Sequence, residues 1–103
     1  MLNDEVNFVV KLIKRRYGEI QIALLGDLNM GRAEANTFAA KNDLKVCQDE
    51  QQSLITHLNA ANPSRNNQLD YILSNMKHEN TSTEPNYWTH SDHIPLKTTL
   101  TVE

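Results

Sequence analysis

Only one cysteine, Cys47, occurs in the 103 residues. An internal disulfide and a cysteine-based zinc motif are therefore excluded, and a lone thiol of this kind packs as a small apolar group. Aromatic residues make up only 6% of the chain, so large core anchors are in short supply. Basic residues have no majority either: ten Lys and Arg stand against thirteen Asp and Glu, a net charge of −3. A chain that held nucleic acid chiefly through charge would be more basic, which disfavours tight non-specific duplex binding by this chain alone. A bound divalent cation would add local positive charge that such a count omits. No apolar run approaches the ~20 residues of a membrane span. Asp4, Glu5 and Lys11 break up any secretory leader, so a soluble, cytoplasmic protein is expected.

The length suits one domain over residues 1–103. Its first segment reads as an amphipathic helix, with Val6, Val9, Val10, Ile13 and Tyr17 recurring at three- and four-residue steps. Asn3 or Asp4 can cap its start, Gly18 suits a left-handed stop, and Lys14, Arg15 and Arg16 read as a solvated end serving the helix dipole. A strand over Ile20–Leu25 follows within two residues, which points to an α/β arrangement. Arg32 to Lys41 reads as a short helix stopped by Asn42-Asp43, and Leu44 to Cys47 as a short strand. Ser53 to Leu58 can be extended, Asn59 to Asn67 is an asparagine-rich loop, and Leu69 to Asn75 is a strand that can continue through Lys77. Asn80 to Asn86 reads as a loop, and Ile94 to Val102 as a closing strand, with Pro95 at its beginning or on an edge.

The stretch Ile20 to Asn29 stands out. Its apolar run has the composition of a strand buried on both faces and stops at Gly26, where the chain can turn sharply. Asp27 and Asn29 lie two apart, so in an extended chain they point the same way. A carboxylate and an amide so placed can hold a water, a metal ion or a phosphate oxygen. They can equally form a simple Asx turn.

Three stretches in order, Gly26-Asp27-Leu28-Asn29, Leu69-Asp70-Tyr71-Ile72 and Ser91-Asp92-His93-Ile94-Pro95-Leu96, resemble the motifs of the endonuclease/exonuclease/phosphatase superfamily, the deoxyribonuclease I-like phosphodiesterases. The resemblance runs from Ile20 to Val102 and covers that family's second half. It implies half of a two-sheet sandwich, a mixed β-sheet with flanking helices, and metal-dependent hydrolysis of a phosphoester. Mg²⁺ (or Mn²⁺) is the implied cofactor, since hard oxygen ligands suit it. In this resemblance Asp27 orients the attacking water, and Asn29 holds it and a phosphate oxygen. Asp70 pairs with His93, His93 contacts the scissile phosphate, and Asp92 joins Asp27 in or around the metal shell. Ser91 and Pro95 are structural members of the motif.

Weaker candidates surround these. Arg32 and Arg65 could grip a substrate phosphate or be plain surface residues. His90 could join a metal site or lie in a loop, and Tyr87 and Trp88 could stack on a base or anchor the core. His57 and His78 read as surface residues. The first-half residues of the family, including its metal-binding Glu, have no counterpart before Ile20. The expectation is thus a catalytic half that works with a missing N-terminal half, or a chain that self-associates through a bare sheet face. The alternative is a non-catalytic remnant or interaction module that keeps the fold. A phosphoester, nucleic acid among the options, is the expected substrate.

Overall fold

The computed structural model describes residues 2–51, 54–59, 61–84 and 91–102. The elements run in the order α1 (Leu2–Tyr17), β1 (Ala23–Asp27), α2 (Arg32–Lys41), β2 (Lys45–Val46), a 3₁₀ turn at Pro63–Arg65, β3 (Asp70–Ser74), β4 (Lys77–Thr83) and β5 (Leu96–Thr101). Two helices and two small antiparallel sheets make an α+β domain, with strand orders β1-β3-β2 and β4-β5. The expected mixed sheet is corrected: every strand pair among the described residues is antiparallel. The β1–β3 register runs from Ala23 opposite Ser74 to Asp27 opposite Asp70. Because β1 ends in its aspartate and β3 begins with one, only the antiparallel direction sets the two carboxylates side by side.

The strand buried on both faces is β3, not β1. Tyr71, Ile72, Leu73 and Ser74 are all buried, whereas Leu25 on β1 is 69% exposed. β1 lies at the sheet margin, so its apolar composition misleads. Tyr71 and Leu73 pack in a core with Val10, Ile22, Met30, Phe38, Ala39 and Leu44. The Tyr71 hydroxyl proton is shared between the carbonyls of Met30 at 2.8 Å and Gln68 at 2.9 Å, which ties β3 to the loop after β1.

α1 turns Val6, Val10 and Ile13 to this core, while Val9 and Tyr17, expected on the same face, are exposed. At about 100° per residue Val9 falls on the flank with Phe8 and Leu12, and Tyr17 sits in the last turn. Lys14 is more than a solvated helix end: its Nζ bonds the Asn42 carbonyl at 2.8 Å and Asp43 at 2.9 Å, clamping α1 to the end of α2. Asp43 takes a left-handed conformation (φ 57°), so α2 stops where the Asn-Asp pair suggests.

β4 is the main departure, because part of the expected loop at 80–86 is strand through Thr83. Asn80, which reads as a turn residue, sits at φ 58° in a register shift between Glu79 and Ser82, so it marks a bulge within the strand. The remainder of that loop, with Tyr87, Trp88 and His90, lies outside the described residues. Cys47 is buried, and burial pushes its thiol up to about 11, as an inert packing residue requires. No helix among the described residues is long and apolar enough to cross a membrane.

Replacing Tyr71 by Phe removes a buried hydroxyl donor that two carbonyls share. Urea denaturation should report a loss of about 1–3 kcal/mol with an unchanged m-value. An unaltered midpoint would show that the hydroxyl does not staple β3 to the β1 loop.

Candidate active site

The site forms where three chain segments meet at one end of the β1–β3 pair. On β1, Gly26 adopts φ 148°, a backbone region that favours glycine, immediately before Asp27. Asp27 Oδ1 accepts the Asn29 N–H at 2.8 Å, and Asn29 itself sits at φ 50°. The Asx turn is therefore real, and it leaves Asp27 Oδ2 facing His93 Nε2 at 3.7 Å. Asn29 contributes here through its backbone amide.

Asp70 is held by buried polar groups. The Thr56 hydroxyl oxygen accepts N–H bonds from Leu69 and Asp70, both at 3.0 Å, and Gln48 Nε2 donates to the Asp70 carbonyl at 2.8 Å. Gln48 Oε1 also accepts from the Ile72 N–H at 3.2 Å, and both Thr56 and Gln48 are buried. The same extended stretch around Thr56 seats the Ser-Asp-His segment. Ile94 N–H donates to the Thr56 carbonyl at 2.8 Å, Leu58 N–H to the Asp92 carbonyl at 2.7 Å, and Ser91 Oγ accepts the His93 N–H at 3.1 Å. Pro95 stands just before β5, where a proline costs no ladder bond.

His93 Nδ1 meets Asp70 Oδ2 at 2.6 Å. The carboxylate can only accept, so Nδ1 carries hydrogen and the neutral ring presents a lone pair at Nε2. That atom lies 3.7 Å from Asp27 Oδ2 and 3.9 Å from Asp92 Oδ1. The Asp70 hydrogen bond raises the His93 pKa, partial burial works against it, and the charges of Asp70, Asp27 and Asp92 raise it further. Beside the cluster is an open cleft of about 340 Å³, lined by Leu25, Ile72, Ile94 and Leu96 together with Asp70 and His93.

His57, read from sequence as a surface residue, belongs to this cluster. Its ring packs edge-on against His93 with centroids 5.1 Å apart, and its Nε2 lies 3.3 Å from Asp92 Oδ2. No local spacing announces it, because it stands 35 positions from Asp92 and arrives through the pairing of residues 56–58 with Asn67 and with residues 92–94. Thr56 and Gln48 escaped notice for the same reason. Arg32 is not brought to the cluster: its guanidinium bonds Asn36 Oδ1 at 3.0 Å and the Gln48 carbonyl at 2.6 Å. Neither partner is one of the clustered Asp and His residues. Arg65 ends the 3₁₀ turn, and His78 lies on β4 opposite Leu100.

Two sets of three donors lie within 4.8 Å of one another, Asp27–Asp70–His93 and His57–Asp92–His93. Asp27 and Asp92, the expected magnesium pair, stand in different sets joined by His93. Each set holds one carboxylate of that pair, and magnesium needs only one or two carboxylates because it keeps several waters. No protein-family model, curated protein or solved structure matches the chain.

Since the His93 pKa is raised in the fold, its ionisation stabilises the native state fully below the unfolded value, about 6.5. That stabilisation is lost as the pH rises through the folded value. In Asp70→Asn, the NMR titration midpoint of the His93 ring should fall and the extra stability at acid pH should shrink. A midpoint that stays in place would mean that Asp70 does not control the ring.

Proposed function

We propose that the chain is the C-terminal catalytic half of a divalent-metal-dependent phosphoester hydrolase of the deoxyribonuclease I-like kind, a nuclease, phosphodiesterase or phosphatase. One observation carries this reading: the His93 ring is fixed by Asp70 at 2.6 Å while its other nitrogen stands 3.7 Å from Asp27. That second separation is too long for a direct hydrogen bond. A water about 2.8 Å from each group would bridge it.

Asp27 then orients the attacking water, with its own carboxylate held by the Asn29 N–H. His93 contacts the scissile phosphate and moves the proton, with its charged form favoured by three neighbouring carboxylates. Asp70 fixes the ring, and substrate contact falls to His93 and Asn29, with the remaining N–H groups of Arg32, which also bonds Asn36 and Gln48, as the third contact. Asp27 and Asp92 would hold Mg²⁺ or Mn²⁺, which when bound relieves charge on the phosphoryl oxygens.

The remaining metal-binding Glu and phosphate contacts come, in this reading, from a second half. Phe8, Val9 and Leu12 on α1 and, separately, Leu25 on β1 are each at least half exposed, apolar side chains of the kind that partners cover. The same surface favours a second reading, an interaction module that keeps the fold without the reaction.

Supplying the family's N-terminal half in trans with Mg²⁺ should produce phosphodiester hydrolysis. Asp27→Ala and His93→Ala should each reduce it by about 10²–10⁴-fold, the usual range for lost acid–base catalysis. Mg²⁺ or Mn²⁺ should raise the melting temperature of the chain, and Asp92→Ala should abolish that rise. Retained activity in either mutant would assign the chemistry elsewhere. An unresponsive melting temperature would favour the non-catalytic module.

Sedimentation should show association that strengthens with concentration and weakens in Phe8→Ser and Leu12→Ser. A stable monomer that binds no hydrophobic dye would contradict the partner surface.

A further inference from the structure

The second donor set has a chemical character unlike the first. Asp27, Asp70 and His93 supply mainly hard carboxylate oxygens, whereas His57, Asp92 and His93 supply two imidazoles and one carboxylate. Both imidazoles are oriented by an acceptor on Nδ1: Asp70 Oδ2 at 2.6 Å for His93 and Asn67 Oδ1 at 3.2 Å for His57. An amide oxygen and a carboxylate can only accept, so both rings keep hydrogen on Nδ1 and turn a lone pair outward at Nε2. The two lone pairs face the carboxylate of Asp92, with His57 Nε2 3.3 Å from Oδ2 and His93 Nε2 3.9 Å from Oδ1. Three acceptors aimed at one another repel unless a proton or a metal ion lies among them, and a metal ion can satisfy all three at once.

We infer that His57, Asp92 and His93 form a zinc site that shares Asp92 with the proposed magnesium pair, with Asp70 and Asn67 as the outer partners that orient its two histidines. Zinc binds imidazole nitrogen and carboxylate oxygen in tetrahedral geometry, with donor atoms roughly 3.3 Å apart. The His57 Nε2–Asp92 Oδ2 separation of 3.3 Å already has that spacing, and the His93 Nε2–Asp92 Oδ1 separation is 3.9 Å. Three protein ligands leave one position for water. A histidine ligand whose second ring nitrogen donates to an oxygen acceptor is the usual support of such sites, and here both rings have it. Magnesium, which prefers oxygen and strict octahedral geometry, has little use for this donor set. Zinc here engages Nε2 of His93, the atom that the proposed hydrolysis needs. Zinc should therefore inhibit where magnesium activates. The inhibition rests on the functional reading above, but the binding does not.

Isothermal titration of the chain with zinc chloride tests the site without any reaction. The expected result is one zinc ion per chain, with affinity reduced by about 100-fold or more in His57→Ala and by about 10–100-fold in Asn67→Ala, the range for losing an outer-shell partner. Asp92→Asn, at an exposed side chain whose backbone bond to Leu58 is untouched, should weaken zinc as His57→Ala does and guards against misfolding of the histidine variant. Asp27→Ala should leave zinc affinity unchanged. Cobalt(II) should give the strong visible absorption of a four-coordinate ion in the wild type and lose it in His57→Ala. Wild-type zinc affinity in both His57→Ala and Asp92→Asn, or loss of zinc in Asp27→Ala alone, would overturn the assignment. Zinc binding with no hydrolysis would refute the functional reading and leave the site standing, whereas hydrolysis with zinc affinity indifferent to His57 would do the reverse.

Discussion

Two aspartates directly opposite each other across β1 and β3 are the constraint around which the rest is arranged. Like charges at facing positions of an antiparallel ladder work against the sheet by up to about 1 kcal/mol. Here they close a strand pair whose central member, β3, carries the core. What offsets the repulsion is His93, hydrogen-bonded to Asp70 and near Asp27. The carboxylates raise its pKa, and by reciprocity its positive charge stabilises them. A sheet end that favours positive charge is thus built into the strand register, independent of any reaction.

Holding that arrangement takes buried polar groups, which are costly unless fully bonded. Thr56 and Gln48 meet the condition: one accepts from two successive amides at the start of β3, the other spans the Asp70 carbonyl and the Ile72 amide. Because Thr56 also accepts from Ile94 through its carbonyl, a single residue sets the positions of Asp70 and of the segment carrying His93. The short 2.6 Å contact between those side chains is therefore a product of backbone placement, and not of two flexible side chains finding each other. Exposed ion pairs gain little because they lose side-chain entropy on forming. Backbone placement removes much of that loss here.

Local pattern and chemistry made the helices, β3 and the three motif stretches legible in the sequence. α2 starts and stops where the Ala-rich run and the Asn-Asp pair put it, and the Asp70–His93 contact follows from the motifs that suggested it. Misreadings fall where tertiary context decides. Leu24 and Leu25 look like a doubly buried strand, but burial depends on having a neighbour on each side, and composition is silent on that. Asn80 is a turn residue by propensity and a bulge by outcome, since a left-handed residue serves both. His57 had no signal at all. Its partners Asn67 and Asp92 lie ten and thirty-five positions away, and only the antiparallel pairing of the segment 56–58 makes them neighbours.

His93 sits at the intersection of the two donor sets, and that position bears on selectivity. A ring anchored at Nδ1 has one remaining nitrogen, so a metal ion there excludes the proton through which a phosphate oxygen would be held. Protonation is favoured by the surrounding carboxylates, and every group that favours the proton also favours a divalent cation. Ligand type then separates the outcomes. Toward Asp27 and Asp70 the neighbours are oxygens, which suit hard, hydrated ions; toward His57 a second imidazole shifts the preference to zinc and its neighbours in the transition series. Nε2 stands between two carboxylates at nearly equal distance, Asp27 at 3.7 Å and Asp92 at 3.9 Å, and under the two proposals above the first would make His93 a proton-transfer residue and the second a metal ligand. Distances this close to equal leave the decision to the ion supplied and to the pH.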